Sequence, residues 1–175
     1  RDILDLSRVE AGKLEVLEER VNLRRSLQLV LKMISQQAQE GQVRLITDAV
    51  PEDMVILADK KRMHQVFLNL VSNAVKFTPE GGQVEISAAL TDDGGAVIVV
   101  GDTGIGMSQA EIEEAMTPFG QIDSIMTRKK EGTGLGLPLV KAFVERQGGR
   151  LVIESEPGKG TNVKMLFPPD RILDP

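Results

Sequence analysis

The sequence has no cysteine, tryptophan or tyrosine, only five phenylalanines, and a single histidine, His64. Without cysteine there is no disulfide framework and no thiolate chemistry. With so few aromatic rings there is no platform on which single-stranded bases could stack. A net charge of −5 argues further against nucleic acid as a partner. The longest purely aliphatic run, residues 96–100, is far too short to cross a bilayer, and no signal-peptide pattern is visible. What remains is a chain of 175 residues, 41% apolar and 27% charged, enough for one globular domain with its own core. Arg1 is not an initiator, so the sequence reads as a piece of a longer protein.

Glycine is abundant, and its densest pattern runs Glu131-Gly132-Thr133-Gly134-Leu135-Gly136-Leu137-Pro138-Leu139-Val140. Alternating glycines let backbone N–H groups approach a ligand, and a following helix start adds free donors and partial positive charge. Together they make a phosphate cradle. A P-loop would need Gly-Lys-Ser/Thr, but Leu137 and Pro138 follow Gly136. A dinucleotide fingerprint would need a glycine at 137 after a strand, and residues 127–130 are polar and basic. A tight turn is the plain alternative.

Taken in order, residues 1–14 read as the end of a helix and residues 15–21 as a short strand. Asn22 caps a helix whose face is Leu23, Leu27, Val30, Leu31, Ile34 and Ala38, ended by Gly41. Val43 and Leu45, then Val55 and Leu57, suggest two short strands around Pro51. A second helix is expected over 59–77, with Met63, Val66, Phe67, Leu70, Ala74 and Phe77 on one face. Its polar stripe holds Arg62, Gln65, Asn69, Asn73 and Lys76. Alternation at Val84, Ile86, Ala88 and Leu90 predicts a half-buried strand, and residues 92–95 a hairpin turn. Residues 96–100 are apolar throughout and predict a strand buried on both faces. Ser108 and Glu111 form a capping box for a helix over 108–116. Residues 117–130 lack a clean period and read as a mobile lid. A helix over 135–147 tolerates Pro138 in its first turn. A final hairpin over 150–155 and 161–167 and a closing tail complete the chain.

Two further stretches carry chemistry. Asn69, Asn73 and Lys76 share one helix face, and two amide oxygens with an ammonium suit Mg²⁺ and phosphates. A solvated helix face is the bland alternative. Asp102 ends an apolar strand and is followed by Thr103, Gly104, Ile105 and Gly106. Its carboxylate only accepts, so it suits an exocyclic amine such as adenine N6. An ordinary Asp-Thr-Gly turn is the alternative here.

In sequence order these stretches resemble the motifs of sensor histidine kinases. Asn69-Leu70-Val71-Ser72-Asn73-Ala74-Val75-Lys76-Phe77-Thr78-Pro79 looks like their N box, and Asp102-Thr103-Gly104-Ile105-Gly106-Met107 like their G1 box. Pro118-Phe119-Gly120-Gln121 resembles the F box, and Gly132-Thr133-Gly134-Leu135-Gly136-Leu137 the G2 box. The resemblance covers about residues 20–168. It implies an α+β fold, a two-layer Bergerat-type sandwich with a mixed, mostly antiparallel sheet packed on helices. It implies a catalytic domain over 15–168 with a lid at about 115–131, and a tail over 169–175. Residues 1–14 resemble the end of the dimerisation, or phosphoacceptor, helix.

Carried over position by position, the resemblance implies ATP and Mg²⁺ as cofactors. Asp102 would read adenine, with Gly104, Ile105, Gly106 and Thr161 near it. Asn73 would hold Mg²⁺ with Asn69 alongside, and Lys76 would face the phosphates. Gly132, Thr133, Gly134, Leu135 and Gly136 would wrap the triphosphate, with Phe119 and Lys130 contributed by the lid. Arg128 and Lys129 could add contacts. Departures are Met116 where Phe is usual, Pro138 in place of a small residue, and His64 where a basic or polar residue is common.

The implied activity is transfer of the ATP γ-phosphoryl to a histidine, for relay to a response-regulator aspartate. In ATPase relatives a Glu occupies the position of Asn69, and Asn cannot take a proton, which favours transfer over hydrolysis. His64 is followed by Gln65, whereas the family's acceptor is followed by an acid, so His64 reads as structural and the acceptor as lying upstream. The implied partners are the parent's own dimerisation domain, as a homodimer, and a receiver domain. The fragment would be cytoplasmic, and the parent cytoplasmic or anchored in the inner membrane. Two other classes stay open: a regulatory pseudokinase or phosphatase-biased module, and a gyrase-like ATP-driven dimer clamp.

Overall fold

The computed structural model describes residues 17–117 and 136–175. Three helix starts are set locally. The Asn22 side chain accepts from the Arg25 amide at 3.0 Å and begins α1 (Leu23–Glu40). Asp59 accepts from the Arg62 amide at 3.2 Å and begins α2 (Lys60–Lys76). Ser108 and Glu111 form the expected reciprocal capping box of α3 (Gln109–Ala115). Each cap satisfies amides that a helix start leaves without partners. The fourth helix, α4 (Gly136–Arg146), buries Leu139, Val140, Phe143 and Val144 and carries Pro138 in its first turn.

Five strands form the main sheet: β2 (Arg44–Ala49), β4 (Gln83–Leu90), β5 (Ala96–Asp102), β6 (Arg150–Glu156) and β7 (Gly160–Phe167). Their order is β2-β4-β5-β7-β6, parallel between β2 and β4 and antiparallel elsewhere. This is the mixed, mostly antiparallel sheet that the family resemblance implied. Strand register aligns Ile86, Val100, Val163 and Ile153 in one row and Ala88, Ile98, Met165 and Leu151 in the next. These rows form the face on which the helices pack, with Ile86, Ile98 and Met165 fully buried. On α2, Met63, Val66, Phe67, Leu70 and Ala74 are buried as expected, and Phe77 at its end is only half-buried. Val71 and Val75 are buried as well, because α1 and α4 flank this helix while the sheet lies beneath it.

Residues 96–100 correct one expectation. Ala96, Ile98 and Val100 are buried, but Val97 and Val99 are only half-buried. Helices cover one face of the sheet, so a strand at its centre still has a partly open side. The run of valines reflects β-propensity as well as burial.

A smaller antiparallel sheet has the order β1-β3-β8, from β1 (Glu19–Asn22), β3 (Val55–Ala58) and β8 (Ile172–Leu173). The closing residues, expected as a tail, therefore make a 3₁₀ turn (Pro169–Arg171) and an edge strand against β3. Arg171 reinforces this return, with Nη1 2.7 Å from Glu18 Oε1. The incoming chain is held as well, since Leu17 N–H donates to the capping carboxylate of Asp59 at 3.0 Å.

Candidate nucleotide site

The site is built where the apolar face of the sheet ends. One row beyond Ile86, Val100, Val163 and Ile153, the register sets Val84, Asp102, Thr161 and Ser155 side by side. Asp102 is thus a carboxylate at the edge of a hydrophobic floor. Partial burial pushes its pKa above the ordinary aspartate value, and the backbone amides of Gly104 and Thr161 pull it back less strongly. The Gly104 amide donates to Asp102 Oδ1 at 2.8 Å.

The loop after Asp102 is fixed from two sides. Ile105 N–H donates to the carbonyl of Phe77, the residue that closes α2, at 3.1 Å. Gly158 N–H, in the β6–β7 turn, donates to the Ile105 carbonyl at 2.7 Å. Gly104 lies so near α2 that an added Cβ would stand 2.4 Å from the Phe77 carbonyl oxygen. Gly106 has φ +69° and lies against the backbone of Glu156. Both glycines admit close approach of the protein's own backbone, a different role from the approach of a ligand base that the resemblance implied for them.

Asn69, Asn73 and Lys76 are half-buried on α2. Asn69 lines a narrow cleft between α2 and α4 with Arg62, Gln65, Leu139, Val140 and Phe143. Asn73 stands next to the first residue of α4, where a Cβ on Gly136 would lie 3.7 Å from Asn73 Nδ2. The positive start of an eleven-residue helix is therefore beside two neutral amides. Lys76 is in the last turn of α2, one residue before the Phe77 carbonyl that holds the Asp102 loop. One helix thus reaches both ends of the candidate site.

The structure brings together Asn73 and Gly136 at one end, and Asp102, Gly104, Ile105, Gly106 and Thr161 at the other. Phe119, Lys130, Gly132, Thr133, Gly134 and Leu135 lie outside the described residues, as do Arg128, Lys129, residues 1–14 and all but the first residues of the lid. Ser155 carries no motif signal. Only the register of β6 on β7 reveals it, with its hydroxyl 2.8 Å from Thr161 Oγ1. His64 lies on another flank of α2, its Nε2 3.1 Å from Ser26 Oγ on α1.

Among the described residues there is no group of three or more His, Cys, Asp or Glu side chains that could hold a metal ion. A cation here would need amide oxygens and the oxygens of its own ligand. That donor set fits Mg²⁺ carried by phosphates, because Mg²⁺ takes oxygen ligands and keeps several waters. No described helix is long and apolar enough to cross a membrane.

Comparison with known proteins adds three findings. Residues 58–171 match the family described as histidine kinase-, DNA gyrase B-, and HSP90-like ATPase. The cell-division control histidine kinase PdhS of Brucella abortus (strain S19) is 43% identical over 180 aligned residues, covering 98% of this chain and 17% of PdhS. The chain therefore spans about a sixth of the length of such relatives. Among solved structures, full-length ShkA in complex with AMPPNP superposes with a TM-score of 0.81 at 29% identity, over 99% of this chain and 35% of ShkA. The Acinetobacter baumannii histidine kinase AdeS shares the fold, with a TM-score of 0.79 at 20% identity, over 97% of this chain and 76% of AdeS.

Proposed function

Because the chain belongs to the family of histidine kinase-, DNA gyrase B-, and HSP90-like ATPases, we propose that it is the ATP-binding catalytic domain of a two-component sensor histidine kinase. One observation carries the reading. A single helix, α2, presents Asn73 to the start of α4 and, through the Phe77 carbonyl, fixes the loop that follows Asp102. A ligand with an amine-bearing base at one end and a charged triphosphate at the other fits that arrangement. Identity with PdhS over nearly the whole chain supports the kinase branch of the family.

In this reading Asp102 accepts from adenine N6, and Gly104, Ile105 and Gly106 let the ring lie against the backbone. Thr161 contributes beside Asp102. Asn73 and Asn69 supply oxygens to Mg²⁺, which when bound neutralises phosphate charge. Lys76 and the start of α4 at Gly136 face the phosphates. Phe119, Lys130, Gly132, Thr133, Gly134 and Leu135 complete the enclosure.

Asn69 has no basic lone pair with which to take a proton from water, so the site lacks a base for hydrolysis there. The reaction is then phosphoryl transfer, which depends mainly on positioning and charge neutralisation. The bond from the γ-phosphorus to the bridging oxygen breaks, a P–N bond to an acceptor imidazole forms, and ADP leaves. The acceptor belongs to the parent's dimerisation domain in a homodimer, and an aspartate of a receiver domain takes the group next. This domain would work on the cytoplasmic side, whether the parent is cytoplasmic or anchored in the inner membrane.

The test is calorimetric titration with a non-hydrolysable ATP analogue, with and without Mg²⁺, beside Asp102→Ala. Mg²⁺-assisted binding that is lost in the variant is expected. No binding to the native chain would overturn the nucleotide site. Binding without transfer to the parent's dimerisation domain, supplied in trans, would overturn the kinase assignment.

A further inference from the structure

Ser155 ends the row that the register builds from Asp102 on β5, through Thr161 on β7, to β6. Its Oγ makes three contacts. It accepts from Met107 N–H at 2.7 Å, it donates to the Gly160 carbonyl at 3.0 Å, and it lies 2.8 Å from Thr161 Oγ1. A hydroxyl has one proton and two lone pairs. The Gly160 carbonyl can only accept, so the Ser155 proton goes there. The Met107 amide can only donate, so it takes one Ser155 lone pair. The contact with Thr161 must use the other, which makes the Thr161 hydroxyl the donor and commits its single proton to Ser155. Toward the rest of the site, Thr161 Oγ1 then offers lone pairs alone. The ionised carboxylate of Asp102 offers the same.

We infer that Ser155 is a positioning residue that holds Thr161 as a hydrogen-bond acceptor, and so makes the base end of the site select a purine with an amino group at position 6 over one with an oxo group. The inference rests on the nucleotide-binding reading above. A 6-amino group has two protons for two acceptors. A 6-oxo group brings lone pairs to lone pairs. Ser155 also ties the loop at Met107 to the β6–β7 turn, so its removal affects every nucleotide to some degree. Selectivity separates that structural effect from proton control.

Native protein, Ser155→Ala and Ser155→Thr are titrated with ATP and with inosine triphosphate in EDTA, which withholds Mg²⁺ and blocks turnover. In Ser155→Ala the Thr161 proton is released and can be given to a 6-oxo group. The ATP-over-inosine preference then narrows by about tenfold, the scale of one hydrogen bond. Ser155→Thr keeps the hydroxyl and keeps the preference. Thr161→Val, which leaves Ser155 and its loop contacts in place, weakens ATP more than inosine triphosphate. If Ser155→Ala or Thr161→Val weakens both nucleotides equally, with the ratio unchanged, Ser155 only braces the loop and the inference fails. Failure of the native protein to bind ATP is a different result, and it would fail the nucleotide-binding reading itself.

Discussion

Gly106 and Glu156 meet backbone to backbone: a Cβ on Gly106 would stand 1.8 Å from the Glu156 carbonyl oxygen. The loop that follows Asp102 is therefore seated on the β6–β7 turn, and its shape depends on a residue far away in sequence. Gly106→Ala meets both this clash and a left-handed φ of +69°. The conformation alone costs about 1–2 kcal/mol. Gly158 offers a control, because its φ of +80° is similar and nothing lies within 4 Å of its Cβ position. Denaturant unfolding should show Gly158→Ala losing only the conformational cost. Gly106→Ala should lose clearly more, together with nucleotide affinity. Equal losses would mean that the loop shifts freely and is not braced by the turn.

Asp102 sets stability and binding against each other. Its pKa is raised in the folded chain, mainly by burial. The folded state thus holds this proton to higher pH than the unfolded state does. Stability falls as pH rises from the ordinary value of 3.8 through the raised folded value, and the loss persists above it. Asp102→Asn removes that loss. Its apo melting temperature relative to native should be higher at neutral pH than at acid pH, while ATP affinity falls by about tenfold or more, as for a hydrogen bond to a charged group. A variant that melts lower at neutral pH than at pH 3.5 relative to native would contradict the sign.

How much of this was legible in the sequence depended on distance along the chain. Asn22 and Ser108 announce their helices because a cap acts within three residues. The stripe of Asn69, Asn73 and Lys76 follows from helical period alone. The half-open side of β5 did not, since only the tertiary arrangement decides which face receives helices. The pairing of Ile172 with Ile56 was equally hidden, because a two-residue strand has no pattern of its own. Ser155 was invisible for the same reason: its partners Met107 and Thr161 are brought to it by register, not by spacing.

Asn73→Ala separates the two ends of the site. The residue lies beside Gly136, at the end of α2 away from the Asp59 cap. Losing its amide oxygen should remove most of the gain in ATP-analogue affinity that Mg²⁺ provides. Affinity for adenosine, which carries no phosphate, should remain within about twofold of native, because a half-exposed amide contributes little to packing. Titrations of both ligands with and without Mg²⁺ measure this. A matching loss of adenosine binding would place Asn73 in the base pocket instead.

His64 tests whether the lone histidine is structural. Its Nε2 lies 3.1 Å from Ser26 Oγ, and Ser26 is buried where α1 packs on α2. Burial lowers its pKa most, Lys60 lowers it further, and Glu19 opposes them. The folded state therefore prefers neutral imidazole. As pH falls below the ordinary value of 6.5, the unfolded chain takes up this proton first, so stability is lost down to the folded pKa and no further. His64→Gln can keep a hydrogen bond to Ser26 and cannot titrate. Its denaturation midpoint should change less than the native one between about pH 7.5 and 5. At the upper pH its ATP affinity should equal that of the native chain, since His64 faces α1 and not the cleft of Asn69. Acid-labile phosphate on the native chain incubated with ATP, absent in His64→Gln, would show that this histidine accepts the phosphoryl group and that its contact with Ser26 opens in solution.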